Sequence, residues 1–169
     1  FLQVCCHATR QVHVIPAENI DDYLCALFAR NPDAYYAMHS APFDLDVLGL
    51  LRPDRKFLLD AVKNRKVIDT GIRYILHSLA MGRVAHDWRL FMVARDILKI
   101  EIAKDDDIRL TFSPGMELSD AHLEYAAKDS AITAQLALAM PAYKTEFLQL
   151  VGFIALSDIG RRGMSVDRK

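Results

Sequence analysis

The sequence lacks several features that would assign it to a particular class of protein. No apolar run is long enough to span a membrane, and there is no internal repeat or low-complexity tract. Its three cysteines, Cys5, Cys6 and Cys25, do not suggest a disulfide framework, and no CxxC or Cys/His spacing typical of a zinc site occurs. The net charge of −1 excludes a strong positive field over the whole chain. We therefore expect a cytosolic protein with reduced cysteines in its core.

The residues that are present predict a mixed α/β sheet in one domain, with room for a short additional piece. The chain has 169 residues, of which 52% are hydrophobic and 25% charged. Strand-like segments first form a hairpin and then alternate with helices. The predicted strands are LQVCCHAT, QVHVIP, AYYAMH and KVIDT, and the predicted helices are NIDDYLCALFARN, FDLDVLGLL, GIRYILHSLA, HDWRLFMVARDIL and FLQLVGFIALSDIGRRG. The polar segment IAKDDDIRLTFSPGMEL predicts a loop.

The segment AMHSAPFDLDVL places an aspartate where ligands gather in α/β proteins. A short strand ends near His39, a tight turn follows, and Asp44 comes at the start of a helix. Ligands of open α/β sheets bind beyond the carboxyl ends of the strands. Asp46, two residues further on, should point elsewhere. Alternatively, Asp44 only stabilises the first turn of its helix.

The segment LEYAAKDSAITAQL predicts a helix that presents Tyr125 and Asp129 on one face, because they are four residues apart. Ser119 is the predicted N-cap of this helix. The alternative is an ordinary surface pair of a tyrosine and an aspartate. We expect structural roles for two other acidic sites. Asp69 should cap the helix that follows it, and the run Asp105–Asp107 should lie in a solvated loop.

Together these segments resemble the four-carboxylate 3′–5′ exonucleases. HSAPFDLDVL is similar to the second motif of that superfamily, YAAKDSAIT to the tyrosine form of the third motif, and VIDTGIRYILHSL to the strand and helix between them. YAAKDSAIT is closest to the proofreading domain of family A DNA polymerases. FIALSDIGRRGMSVDRK resembles the helix that enters the polymerase thumb, with its turn at Gly163, Met164, Ser165, Val166 and Asp167.

The resemblance implies a ribonuclease H-like mixed sheet flanked by helices, which lacks its first central strand in this chain. It places the exonuclease domain at residues 1–143, N-terminally incomplete, and a helix leading into the thumb at residues 144–169. It also implies a protein of the cytoplasm of a bacterium or a phage-infected cell. Its partners would be the single-stranded 3′ end of DNA and the polymerase domain of the same parent chain, with no membrane involved.

The resemblance further implies hydrolysis with two Mg²⁺ or Mn²⁺ ions. Asp44 and Asp129 would be metal ligands, and Tyr125 would orient the attacking water, since a phenol is a poor general base at neutral pH. DNA would be contacted at second-motif positions and by an arginine after the helix HSLAMG. These residues are His39, Ser40, Phe43 and Arg83.

Two further expectations follow from the resemblance. The first motif, aspartate–x–glutamate, should lie upstream of Phe1 on an acidic strand, so residues 1–169 alone should neither fold robustly nor degrade DNA. Two alternatives stay open: a ribonuclease D-like RNA 3′ exonuclease, and an inactive exonuclease fold that serves as a DNA-binding or structural module. No residue can be tied to a 2′-hydroxyl, so the preference for DNA depends on the polymerase-like end.

Overall fold

The computed structural model describes residues 1–50, 53–101, 106–113 and 116–163. The strands in this part of the chain are β1 (Leu2–Cys6), β2 (Gln11–Ile15), β3 (Tyr36–Met38) and β4 (Val67–Asp69). The helices are α1 (Ile20–Arg30), α2 (Ala41–Val47), α3 (Lys56–Lys63), α4 (Thr70–Ala80), α5 (Leu90–Leu98), α6 (Asp106–Thr111), α7 (Asp120–Ala139) and α8 (Glu146–Arg162). The chain is therefore α/β, as the sequence predicts.

The chain divides into two compact units. The first unit comprises Phe1–Pro32 and His86–Met140, and the second comprises Asp33–Ala85 and the segment that begins at Pro141. Among the described residues, no helix combines the length and the apolar character that crossing a membrane requires.

The first unit is built from the hairpin and α7. β1 and β2 pair antiparallel, with Leu2 opposite Ile15, which confirms the predicted hairpin. α7 packs against both strands and against α5. Its small buried Ala126 permits close approach, while larger apolar side chains fill the core of the unit. These are Ile15, Val93, Ile132 and Leu136.

Local capping defines where α7 begins. Ser119 has an extended backbone, its Oγ accepts a hydrogen bond from the His122 N–H at 3.4 Å, and His122 Nδ1 accepts one from the Ser119 N–H at 3.1 Å. This reciprocal capping box satisfies two N–H groups that a helix start would otherwise leave unpaired. The predicted N-cap is confirmed. The helix ends at Ala139, two residues before Pro141, which cannot continue the hydrogen-bond ladder.

The second unit is built around the parallel pair of β3 and β4. Tyr36 lies opposite Val67, and Met38 lies opposite Asp69. α8 packs against α2, α4 and β4. Most of the buried apolar side chains of this unit come from its helices, among them Leu45, Leu58, Val62, Ile72 and Leu150.

A buried ion pair fixes the start of α8 on α4. The Arg73 guanidinium donates to both carboxylate oxygens of Glu146, through Nε at 2.7 Å and through an Nη at 2.9 Å. Glu146 also accepts the Tyr143 N–H at 3.1 Å. Because the Arg73 side chain is only 6% exposed, loss of Glu146 would leave a buried charge without this partner, which typically costs about 3–5 kcal/mol.

The predicted mixed sheet, without its first central strand, is confirmed only in part by the described residues. Their strands form two separate two-stranded sheets, β1 with β2 and β3 with β4. A continuous sheet would need a strand hydrogen-bonded to both pairs, and none of the described strands does this. The ribonuclease H-like arrangement stays a prediction.

The predicted loop at residues 102–118 is partly wrong. Asp106 begins α6, whereas Asp105 lies outside the described residues. α6 packs against α7, and the Thr111 hydroxyl lies 2.9 Å from His122 Nε2, so tertiary contact overrides the polar composition. α3 occupies a segment for which the sequence pattern predicted no element.

The cysteines are free, but they are not core residues. Cys6 and Cys25 are exposed, and Cys5 is only partly buried. Cys6 is the last residue of β1, where the hairpin turns, and Cys25 lies on the outer face of α1. Of the predicted thumb-like turn, only Gly163 lies within the described residues, where it caps α8 with φ +72°.

Candidate active site

The carboxyl ends of the two parallel strands bring four polar side chains together in the second unit: His39, Asp44, Asp69 and Thr70, here called the strand-end group. His39 follows β3 directly, and its Nδ1 lies 2.8 Å from the Thr70 hydroxyl. That hydroxyl also lies 3.2 Å from the Met38 carbonyl oxygen. Which atom donates in the contact between His39 Nδ1 and Thr70 depends on the tautomer of His39.

Asp69 is the buried centre of this group, and it confirms the predicted cap. Its Oδ1 accepts the N–H groups of Gly71 at 2.8 Å and Ile72 at 3.0 Å, at the start of α4. Its Oδ2 accepts the Ala41 N–H at 2.7 Å, at the start of α2. The sequence did not reveal this second bond, which joins positions 28 residues apart. One carboxylate thus holds two helix starts.

Asp44 lies in the first turn of α2 and is partly buried. Burial raises its pKa from 3.8 to about 6, and the negative charge of Asp69 adds to the increase. Both effects disfavour the carboxylate anion. Asp44 is therefore placed either to carry a proton near neutral pH or to bind a cation that offsets the unfavourable charge.

The predicted DNA-contacting residues of the second unit differ in exposure and in position. His39, Ser40 and Phe43 lie between β3 and α2 or at the start of α2, whereas Arg83 follows the end of α4. Ser40 is exposed and has a left-handed backbone, with φ +66°. Phe43 is 69% exposed. Arg83 is exposed in the loop after α4, where its N–H donates to the Ser78 carbonyl at 2.8 Å.

Asp46 differs from Asp44 although the two lie on the same helix. Asp46 is exposed, and its carboxylate lies 3.3 Å from Arg161 Nε of α8. It therefore points away from the strand-end group, as the two-residue spacing predicts.

Tyr125 and Asp129, here called the α7 pair, lie in the first unit. Both side chains are partly buried on one face of α7. The solvent-exposed pair of the helix is instead formed by their neighbours Glu124 and Lys128, whose charged groups are 2.7 Å apart. The α7 pair is therefore less exposed than its neighbours Glu124 and Lys128.

An aromatic contact that the sequence did not reveal supports Tyr125. The Phe112 ring lies 6.0 Å from the Tyr125 ring and 4.8 Å from the His122 ring. Phe112 follows α6, in the segment predicted to be a loop. The sequence pattern gave no signal that would have placed Phe112 beside Tyr125.

Asp44 belongs to the second unit, whereas the α7 pair belongs to the first. Within the described ranges, no three His, Cys, Asp or Glu side chains are grouped as ligands of one metal ion. No family model, no curated protein and no solved structure matches this chain.

Proposed function

We propose that this chain carries the 3′–5′ proofreading exonuclease domain of a family A DNA polymerase, with a ribonuclease H-like architecture. The observation that carries the proposal is Asp44. It is a partly buried carboxylate at the carboxyl end of a parallel strand pair, close enough to Asp69 to feel its charge. That is the position and residue type that the second motif of these exonucleases supplies.

Asp44 fits the role of a metal ligand. Mg²⁺ commonly takes one or two protein carboxylates and keeps several waters. A divalent cation next to Asp44 would offset both the burial and the repulsion from Asp69 that raise its pKa. Three backbone N–H groups already occupy the oxygens of Asp69, so we assign metal binding to Asp44 and not to Asp69. The first motif would supply further ligands.

The α7 pair would supply the third motif of the proposed exonuclease. Two bound Mg²⁺ or Mn²⁺ ions would supply activation of water and stabilisation of the leaving 3′ oxygen. Asp129 would hold one of them. The Tyr125 hydroxyl would orient the attacking water, and the contact with Phe112 limits where its ring can move.

The surroundings of Asp44 suit a single-stranded 3′ end. The exposed Phe43 ring offers a surface on which a terminal base can stack, which contributes roughly 1–3 kcal/mol per base in such proteins. His39 and Ser40 would complete the second-motif contacts, and Arg83, which follows the other end of α4, would contact a phosphate further along the strand. The preference for DNA rests on the polymerase-like end of the sequence. The domain at residues 1–143 would act beside the polymerase domain of the parent chain, in the cytoplasm of a bacterium or a phage-infected cell.

The experiment that tests this proposal is Asp129→Ala in the full-length protein. We expect loss of Mn²⁺-dependent removal of nucleotides from a 3′-labelled single strand, while DNA polymerisation by the same preparation survives. Glu124→Ala is the matched control, because it removes an exposed carboxylate from the same helix. Wild-type trimming by Asp129→Ala would refute the assignment.

A further inference from the structure

Asp69 makes one hydrogen bond more than helix capping requires. The bonds from Gly71 and Ile72 to Oδ1 are sufficient to cap α4. The bond from the Ala41 N–H to Oδ2 leaves its own helix and reaches the start of α2. The residue is only 5% exposed, so this charge-assisted bond lies away from competing water.

α2 depends on this bond because its own N-cap residue does not cap it. The Ser40 side chain makes no capping hydrogen bond, and its φ of +66° is a conformation that residues other than glycine seldom adopt. The N–H groups of a helix start need acceptors. Asp69 supplies one of them from another element, at Ala41, three residues before Asp44.

We propose that Asp69 is a positioning residue for Asp44: by holding the first N–H of α2 against the start of α4, it sets where Asp44 presents its carboxylate. This inference rests on the proposed function. The hydrogen bond between His39 and Thr70 links the segment between β3 and α2 to the start of α4 a second time. A metal ligand must be held within roughly 0.5 Å of its productive position, and a short helix with a left-handed entry does not achieve this alone.

The alternative is that Asp69 only caps α4, and Asp69→Asn separates the two roles. Asparagine has the same shape but only one acceptor atom, its Oδ1, beside an amide group that donates. It can still cap α4, since asparagine is among the best N-cap residues. Its amide then faces the Ala41 N–H, donor against donor. Asp69→Ser is a second variant: its hydroxyl can cap α4 but is too short to reach Ala41.

The test uses the full-length protein, a 3′-labelled single strand and a series of Mn²⁺ concentrations, with thermal unfolding of each variant. For Asp69→Asn and Asp69→Ser we expect kcat to fall about 10- to 100-fold, as is typical when a partner of a metal ligand is removed. The half-saturating Mn²⁺ concentration should rise, and the loss of activity should exceed that of Val62→Ala at an equal drop in unfolding temperature. Val62→Ala is the stability control, because it removes buried methyl groups from α3 without touching the bonds of Asp69.

Three results would count against these assignments, and Asp44→Ala in the same assay tells them apart. If Asp44→Ala is inactive while both Asp69 variants keep the wild-type rate and Mn²⁺ dependence, the positioning role is wrong and the proposed function stands. If the Asp69 variants lose activity only as Val62→Ala does at an equal drop in unfolding temperature, Asp69 is a cap alone. If Asp44→Ala trims normally, the proposed function fails and the positioning role with it.

Discussion

Asp44 and Asp129 are both partly buried aspartates on helices, but the chain holds them in different ways. Asp44 lies on a helix of seven residues, whose first N–H is bound by a carboxylate 28 positions away. Asp129 lies in the middle of a helix of twenty residues that caps itself through Ser119 and His122. The position of Asp44 therefore depends on long-range hydrogen bonds, whereas that of Asp129 depends on helix periodicity and on packing along one face.

The largest expected effect is a difference in 3′ trimming between substitutions of two aspartates of α2. Asp44→Ala should reduce 3′ trimming by more than about 100-fold, beyond the loss typical for a supporting residue. Asp46→Ala should be close to silent, since it breaks only an exposed ion pair with Arg161, of a kind worth about 0–1 kcal/mol. Both variants are compared in the full-length protein on one labelled strand. The opposite ranking would mean that the second motif is placed in the wrong register.

The second effect concerns stability and pH. The folded pKa of Asp44, about 6, lies above its ordinary value of 3.8, so folding favours the protonated form. This contribution to stability is complete below about pH 3.8 and is lost as the pH rises through about 6. Asp44→Asn, which cannot ionise, should therefore be more stable than the wild type at pH 8, by at most about 3 kcal/mol, and the gap should close by pH 4.

Urea unfolding in EDTA at pH 4 and pH 8 measures this gap, with Asp46→Asn as the control from the same helix. If the difference in stability between Asp44→Asn and the wild type is equal at both pH values, burial and the charge of Asp69 do not raise the pKa of Asp44.

The third effect is smaller, because only one hydroxyl is removed. Tyr125→Phe keeps the ring that packs against Phe112, so metal binding should stay unchanged. Trimming should fall roughly five- to tenfold, the equivalent of one hydrogen bond of about 1 kcal/mol. Calorimetry with Mn²⁺ and trimming rates are measured on the same preparation. A loss of metal affinity would assign Tyr125 a role other than orienting water.

The smallest effect tests whether α7 is self-sufficient. Ser119→Ala removes the capping hydroxyl and should lower the free energy of unfolding by about 1 kcal/mol, with trimming nearly unchanged at 25 °C. Frayed residues at the helix start lie a turn or more before Tyr125. If Ser119→Ala instead abolished trimming as Asp129→Ala is expected to do, the two regions would not differ in the way described above.

The same contrast explains how much of the molecule could be predicted from its sequence. Features encoded by neighbouring residues were predicted correctly: the hairpin, the cap at Ser119, the cap at Asp69 and the shared face of Tyr125 and Asp129. Each depends on a local pattern: strand propensity, helix capping or the spacing of residues along a helix. Sequence reasoning therefore works best for features such as α7 and its cap.

Features that depend on distant residues could not be predicted in this way. The bond between Asp69 and Ala41 and the contact between Phe112 and Tyr125 follow from tertiary packing. α6 forms within a segment of polar composition because α7 lies beside it. Strand pairing is likewise decided between segments and not within them, and the described strands form two separate pairs.

The exposed thiols have a practical consequence for studying the two units separately. All three cysteines of the chain, Cys5, Cys6 and Cys25, belong to the first unit. Hydrogen bonds from Thr9 lower the pKa of the Cys6 thiol, whereas burial raises that of Cys5. Since the thiolate is the reactive form, a maleimide dye should attach to Cys6 well before Cys5. A chain with Cys25 replaced by serine would then carry one fluorophore at the hairpin turn, and its signal during unfolding would report on the first unit.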